Sequence, residues 1–159
     1  QATYEELRRL HRGIVPLVDG DSEGKKKLTG LLNASNPPKI VLTWRDGWEI
    51  EDAVMWILSA DETAVLPSIN ERLNWSTTSI ADVLAMFKTK DGPGRAKTDY
   101  LAYEEIASVI RDNENCRERA RLILDAITHA TLGTHEGCAG LVKDEERSTT
   151  NTTVLRIEP

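Results

Sequence analysis

Asp19 and Asp21 stand two positions apart in PLVDGDSEGKKKL (residues 16–28), with Glu23, Gly20, Gly24 and three lysines around them. Carboxylates grouped in this way suit a calcium loop, a phosphate loop or a magnesium-type site for phosphodiester chemistry. The calcium reading begins well, with Asp19, Asp21, Glu23 and Gly24 at loop positions one, three, five and six. It then fails, because Lys27 stands at position nine and Gly30 replaces the bidentate carboxylate at position twelve. The phosphate-loop reading fails on spacing. Gly20 and Gly24 are separated by three residues where four are needed, and Lys26 stands in place of the metal-binding hydroxyl. What remains is a strand that delivers Asp19 and Asp21 at its carboxyl end. Residues i and i+2 of an extended chain point the same way, so both carboxylates can converge on one hard cation. The plainer alternative makes both aspartates turn and cap residues.

The elements around the motif fit such a strand. Residues 3–12, TYEELRRLHR, read as a helix with Tyr4, Leu7, Leu10 and His11 at helical spacing, ended by Gly13. IVPLV (14–18) is a short apolar strand in which Pro16 favours an edge position. SEGKKKLTGLLN (22–33) is helical, with Ser22 as expected N-cap, and KIVLTW (39–44) is a second strand. The α-β-α-β rhythm predicts an open parallel α/β sheet over residues 1–60.

Beyond Glu49 the pattern becomes helical, with no convincing strand before the final residues. EIEDAVMWIL (49–58) places Ile50, Val54, Ile57 and Leu58 on one face. TAVLPSINERL reads as a helical piece interrupted by Pro67, and STTSIADVLAMFK offers several Ser/Thr caps before another helix. KDGPGRAK (90–97) is a loop, followed by helices near 98–112 and 115–132. The expected organisation is an α/β domain over 1–60, a helical subdomain over 61–142 and a mobile tail over 143–159 rich in Asp, Glu, Ser and Thr.

The chain has 159 residues, 40% of them hydrophobic and 29% charged, which suits a globular protein with a real core. No apolar run reaches the ~20 residues of a membrane span, and the first residues do not form a signal peptide. Cys116 and Cys138 read as free thiols, and the sequons at Asn33, Asn74 and Asn151 as chance occurrences, so a cytoplasmic location is expected. The net charge of −6 argues against a broad electrostatic nucleic-acid surface. It leaves room for an acidic cluster neutralised by metal.

The order of apolar strand, D-x-D, glycine and lysine-bearing helix in GIVPLVDGDSEGKKKLTGLL, followed by KIVLTW, resembles the second half of a Toprim domain. That is the catalytic fold of primases, topoisomerases and the overcoming-lysogenization-defect (OLD) nucleases. WRDGWEIEDAVMWIL adds a second likeness, because OLD-type nucleases carry an acidic E-[IL]-E-[ND] segment after the next strand. The likeness covers residues ~11–60. It implies a partial Toprim-like domain of a DNA endonuclease dependent on Mg²⁺ or Mn²⁺, with an ABC-type ATPase domain upstream, serving in phage defence. By the same likeness Asp19 and Asp21 are the metal-binding pair, and Glu51, with Glu49, serves a second ion. On a helical wheel Glu51 borders the apolar face, whereas Glu49 and Asp52 fall on the polar side. Lys97, in GRAKTDYLAYEE, matches a lysine that stabilises charge on the scissile phosphate.

The family also needs an acidic residue in an EG motif on an earlier strand. Glu5 and Glu6 lie on the expected helix and have no glycine partner. The resemblance therefore places that strand in an upstream part of a longer polypeptide, as a start without methionine suggests, or makes this domain degenerate. Lys25, Lys26 and Lys27 are either phosphate holders at the site rim or a solvated helical face. His129, His135 and Cys138 lack the fourth ligand and spacing of a zinc site. The competing reading is a non-catalytic α/β plus helical module, with residues 62–132 docking a partner or forming a homo-oligomer.

Overall fold

The computed structural model describes residues 4–7, 13–88 and 99–159. In chain order these hold β1 (Leu17–Val18), α1 (Ser22–Leu32), β2 (Ile40–Trp44), α2 (Ile50–Leu58), a 3₁₀ turn (Ser59–Asp61), α3 (Glu62–Leu73), α4 (Ile80–Lys88), α5 (Tyr100–Asp112), α6 (Glu114–Leu132), β3 (Leu141–Lys143) and β4 (Thr153–Ile157). The chain divides into an α/β unit, residues 1–49 with 122–159, and a helical unit, residues 50–121. The helical unit is thus an insertion in the sequence of the α/β unit, where a domain over 1–60 followed by a separate subdomain was expected. None of the helices among the described residues is long and apolar enough to cross a membrane.

The sheet of the α/β unit has the order β1-β2-β4-β3. β1 pairs parallel to β2, β2 parallel to β4, and β3 antiparallel to β4. β1 is only two residues long because Pro16 has no amide to give the ladder, although its carbonyl still accepts from the Leu42 amide at 2.8 Å. Val41 and Val154 are register partners and join Tyr4, Val18, Leu28 and Leu31 in one buried cluster. The α1 side chains Leu28 and Leu31 are three residues apart, so one helical stripe covers that face.

Residues 143–159 overturn the expectation of a mobile tail. β4 lies inside the sheet, with Val154, Leu155 and Ile157 at 0%, 1% and 0% exposure. The acidic and hydroxyl-rich composition belongs to the β3–β4 loop, which is held by its own bonds. Asp144 N donates to Val154 O, Ser148 Oγ to Asp144 O, and Thr152 Oγ1 to Pro38 O at 2.7 Å. TVLRI is a strand buried on both faces, so its apolar run is nearly continuous and does not alternate.

The helical unit departs from expectation in two places, and its Ser/Thr cap is where the sequence put it. α3 runs unbroken through Pro67, which lies on the exposed face where water can take the freed Thr63 carbonyl while Val65 and Ile69 are buried. The buried stripe of α2 is Glu51, Met55 and Leu58, with Ala53 and Ile57 beside it, and Ile50 is 52% exposed. The wheel is therefore turned by about one residue from the expected face. Ser79 caps α4, accepting from the Asp82 amide while Asp82 accepts from the amides of Thr78 and Ser79. These hydrogen bonds hold the Asp82 carboxyl below its ordinary range, that from the Thr78 hydroxyl first. α2 packs on α4 and α3 on α5, and Phe87 meets Tyr103 and Trp75 edge-on at 4.9 and 5.9 Å.

Leu155→Ala tests the place of β4. A buried leucine at the sheet centre should cost about 2–5 kcal/mol in urea unfolding, whereas a tail residue would cost roughly 0.5 or less.

Candidate metal centre at the carboxyl ends of β1 and β2

β1 ends at Val18, so Asp19 is the first residue past the strand, where open α/β sheets place their sites. Asp21, not Ser22, is the N-cap of α1. Its Oδ1 accepts from the Gly24 amide at 2.7 Å. Among the described residues its other oxygen makes no hydrogen bond. Asp19 is half-buried and engaged in an interaction of its own.

Gly20, between the two aspartates, is locked to the turn that follows β2. Its amide donates to Trp48 O at 2.7 Å, and its carbonyl accepts from the Gly47 amide at 2.9 Å. The turn closes with Trp48 N donating to Arg45 O at 3.0 Å, and Gly47 takes φ 82° at its third position, as a type II turn requires. Two backbones meet with no room for a side chain. A Cβ on Gly20 would fall 1.9 Å from Arg45 O, and one on Gly24 would fall 1.9 Å from Asp19 O.

Asp46, in the same turn, binds two cations. Lys25 Nζ stands 3.3 Å away and Arg147 Nη2 2.8 Å away. The hydrogen bond from Arg147 holds the Asp46 carboxyl below its ordinary value of 3.8, and Asp46 raises the Arg147 guanidinium in return. Arg147 Nε also pairs with buried Asp144 at 3.4 Å, and Asp144 pairs with Arg156 of β4 at 3.6 Å. This chain of charges connects the β3–β4 loop to the β2–α2 turn. Arg156 is the register partner of Thr43, whose buried hydroxyl has no hydrogen-bond partner among the described residues.

The expected site residues are distributed as follows. Asp19, Asp21 and Glu49 belong to the α/β unit, and Glu49 follows Trp48, whose carbonyl Gly20 holds. Glu51 belongs to the helical unit and is 4% exposed in the first turn of α2, where the helix dipole favours a carboxylate. Lys25, Lys26 and Lys27 are all exposed on α1. Lys97 lies outside the described residues. Among the described residues no three His, Cys, Asp or Glu side chains gather at metal-binding spacing. A closed cage is therefore not built here. A magnesium-type ion commonly takes one or two carboxylates and fills its shell with waters and substrate phosphate, and Asp19 and Asp21 are the two carboxylates that this loop carries.

Sequence reasoning missed Arg45, Asp46, Asp144 and Arg147. RDGW carries an Asp-Gly turn signal that could have marked Asp46, but nothing local links it to Arg147, 101 residues away. Cys116 and Cys138 are free thiols, as expected. Cys116 is buried with Sγ 3.9 Å from Leu58 O, and burial pushes its thiol up.

Two measurements test this geometry. Gly20→Ala should destabilise the protein by about 3 kcal/mol or more in urea unfolding, because backbone must move. A loss under ~1 kcal/mol would mean the loops separate freely. Asp46 has a lowered pKa, so its pairing stabilises the fold above pH 3.8 and fades as pH falls below it. Asp46→Asn should cost about 0.5 kcal/mol near pH 7, and that cost should shrink as pH falls below 3.8, read from unfolding curves across the range. Compared with models of protein families, with curated proteins and with solved structures, the chain matches none.

Proposed function

We propose that this chain carries the paired-carboxylate part of a divalent-metal-dependent DNA endonuclease of the OLD type, acting in phage defence. One observation supports this reading above the others. Asp19 and Asp21 flank a glycine clamped to the turn before Glu49, at the carboxyl ends of two adjacent parallel strands. A bound Mg²⁺ or Mn²⁺ would supply Lewis-acid polarisation of the scissile phosphate. Asp19 and the outer oxygen of Asp21 hold the ion, and Glu49 extends the acidic rim. Lys26 and Lys27, exposed on the first turns of α1, offer ammonium groups to the phosphates of the strand, while Lys25 is held by Asp46. The role of Glu51 at a second ion and that of Lys97 at the phosphate rest on sequence order. An upstream acidic residue and ATPase domain complete the proposed enzyme.

The competing reading, a non-catalytic module for protein interaction or dimerisation, draws on the lack, among the described residues, of three carboxylates gathered at metal-binding spacing. Titration with Mn²⁺ separates the two. Failure to bind, in this chain and in the intact polypeptide, favours the module.

The Asp19→Ala, Asp21→Ala double variant of the intact polypeptide should lose Mg²⁺- or Mn²⁺-dependent nicking of supercoiled plasmid; undiminished nicking would overturn the proposal. Asp21→Asn isolates the metal role, since an asparagine oxygen can still cap α1. It should keep stability within about 0.5 kcal/mol while cleavage falls, whereas Asp21→Ala should also lose about 1 kcal/mol.

A further inference from the structure

Trp44 and Trp48 are one short turn apart in sequence, yet they have different surroundings. Trp44 is core, at 3% exposure, while Trp48 is only partly covered. What lies over the Trp48 ring is the guanidinium of Arg45, its Cζ 4.8 Å from the ring centroid. Arg45 is itself exposed, and among the described residues it has no carboxylate partner. Its neighbours differ, since Lys25 and Arg147 both pair with Asp46. In a chain with 26 acidic and 20 basic residues, an unneutralised guanidinium beside a D-G-D loop marks a place for an anion.

The pair is also fixed in position. Trp48 O and Gly47 N are the two atoms bonded to Gly20, at 2.7 and 2.9 Å, so the turn carrying Arg45 and Trp48 cannot shift without breaking the clamp between the aspartates. A guanidinium held over an indole ring presents delocalised positive charge beside an aromatic face. That pairing suits a nucleobase face with its phosphate alongside. Bases in a duplex are already stacked and hide their faces, so only an unpaired base can use it.

We propose that Arg45 and Trp48 form a stacking platform for an unpaired base at the rim of the Asp19–Asp21 site. The substrate class is then single-stranded DNA, or the single-stranded part of a flap or gap. This rests on the DNA-cleavage reading above, whose substrate it names.

The test is fluorescence anisotropy with the intact polypeptide in Ca²⁺, using a labelled single-stranded 20-mer and a duplex of the same sequence. Trp48→Ala should weaken single-strand binding on the order of tenfold and leave duplex binding unchanged. Trp48→Phe should keep most of the affinity, and Arg45→Ala should weaken binding and flatten its salt dependence. Melting curves exclude misfolded variants, and Arg45→Ala, at an exposed residue, carries the single-strand and duplex comparison if Trp48→Ala does not fold. Equal loss on single strand and duplex, or no loss with a folded Trp48→Ala, overturns the platform. If Trp48→Ala loses single-strand binding while no form of the protein cuts DNA, the platform stands and the cleavage reading falls. If the protein cuts and Trp48→Ala discriminates no differently from the parent, the cleavage reading stands and the platform falls.

Discussion

Everything at the carboxyl edge of this sheet depends on a backbone-to-backbone contact that only glycine permits. Gly20 spends both of its main-chain groups on the turn after β2, and the space a methyl would fill is already taken by the Arg45 carbonyl. β1 is too short to fix its own register, with two ladder residues and a proline before them. The clamp adds two hydrogen bonds beyond the end of the ladder, where strand ends ordinarily fray. It therefore fixes where Asp19 leaves the sheet and where Asp21 starts α1. The glycine between the aspartates positions both of them.

The surrounding charges keep a net negative chain from repelling itself at this edge. Asp21 is neutralised in part by the amide of Gly24 at the helix start, and Asp46 by Lys25 and Arg147. Asp144 is buried against Arg147 and Arg156, so the acidic β3–β4 loop is bound inward. Cations come from elements far apart in sequence, and this gives the unit cross-links that no single element supplies.

The sequence made some of this legible. Short apolar runs bounded by glycine, proline and aspartate marked β1 and β2, and helical spacing marked α1 and α2 within a residue or two. Three kinds of feature were not legible. β4 was obscured by its neighbours, because the loop before it has the composition of a tail while TVLRI is too short to carry a signal by itself. The partner of Asp46 was hidden by distance along the chain. The buried face of α2 lies about one residue from the stripe of Ile50, Val54, Ile57 and Leu58, with Glu51, at the border of that stripe, taken fully inside, where a carboxylate in a first helical turn can be accommodated. The sequence offers Ser22 as the cap of α1, yet Asp21, one residue earlier, does that work, with one carboxylate oxygen on the Gly24 amide.

The position of β4 has a consequence for how the protein is made. During synthesis β1, α1 and β2 leave the ribosome ahead of the whole helical insertion, and the strand that lies between β2 and β3 follows only afterwards. Until then β2 exposes an unpaired parallel edge, while the helical unit can close on contacts nearer in sequence. The nascent α/β half therefore waits, unpaired, for a partner some hundred residues away. That interval is when this chain is open to misassociation and when a chaperone would find it.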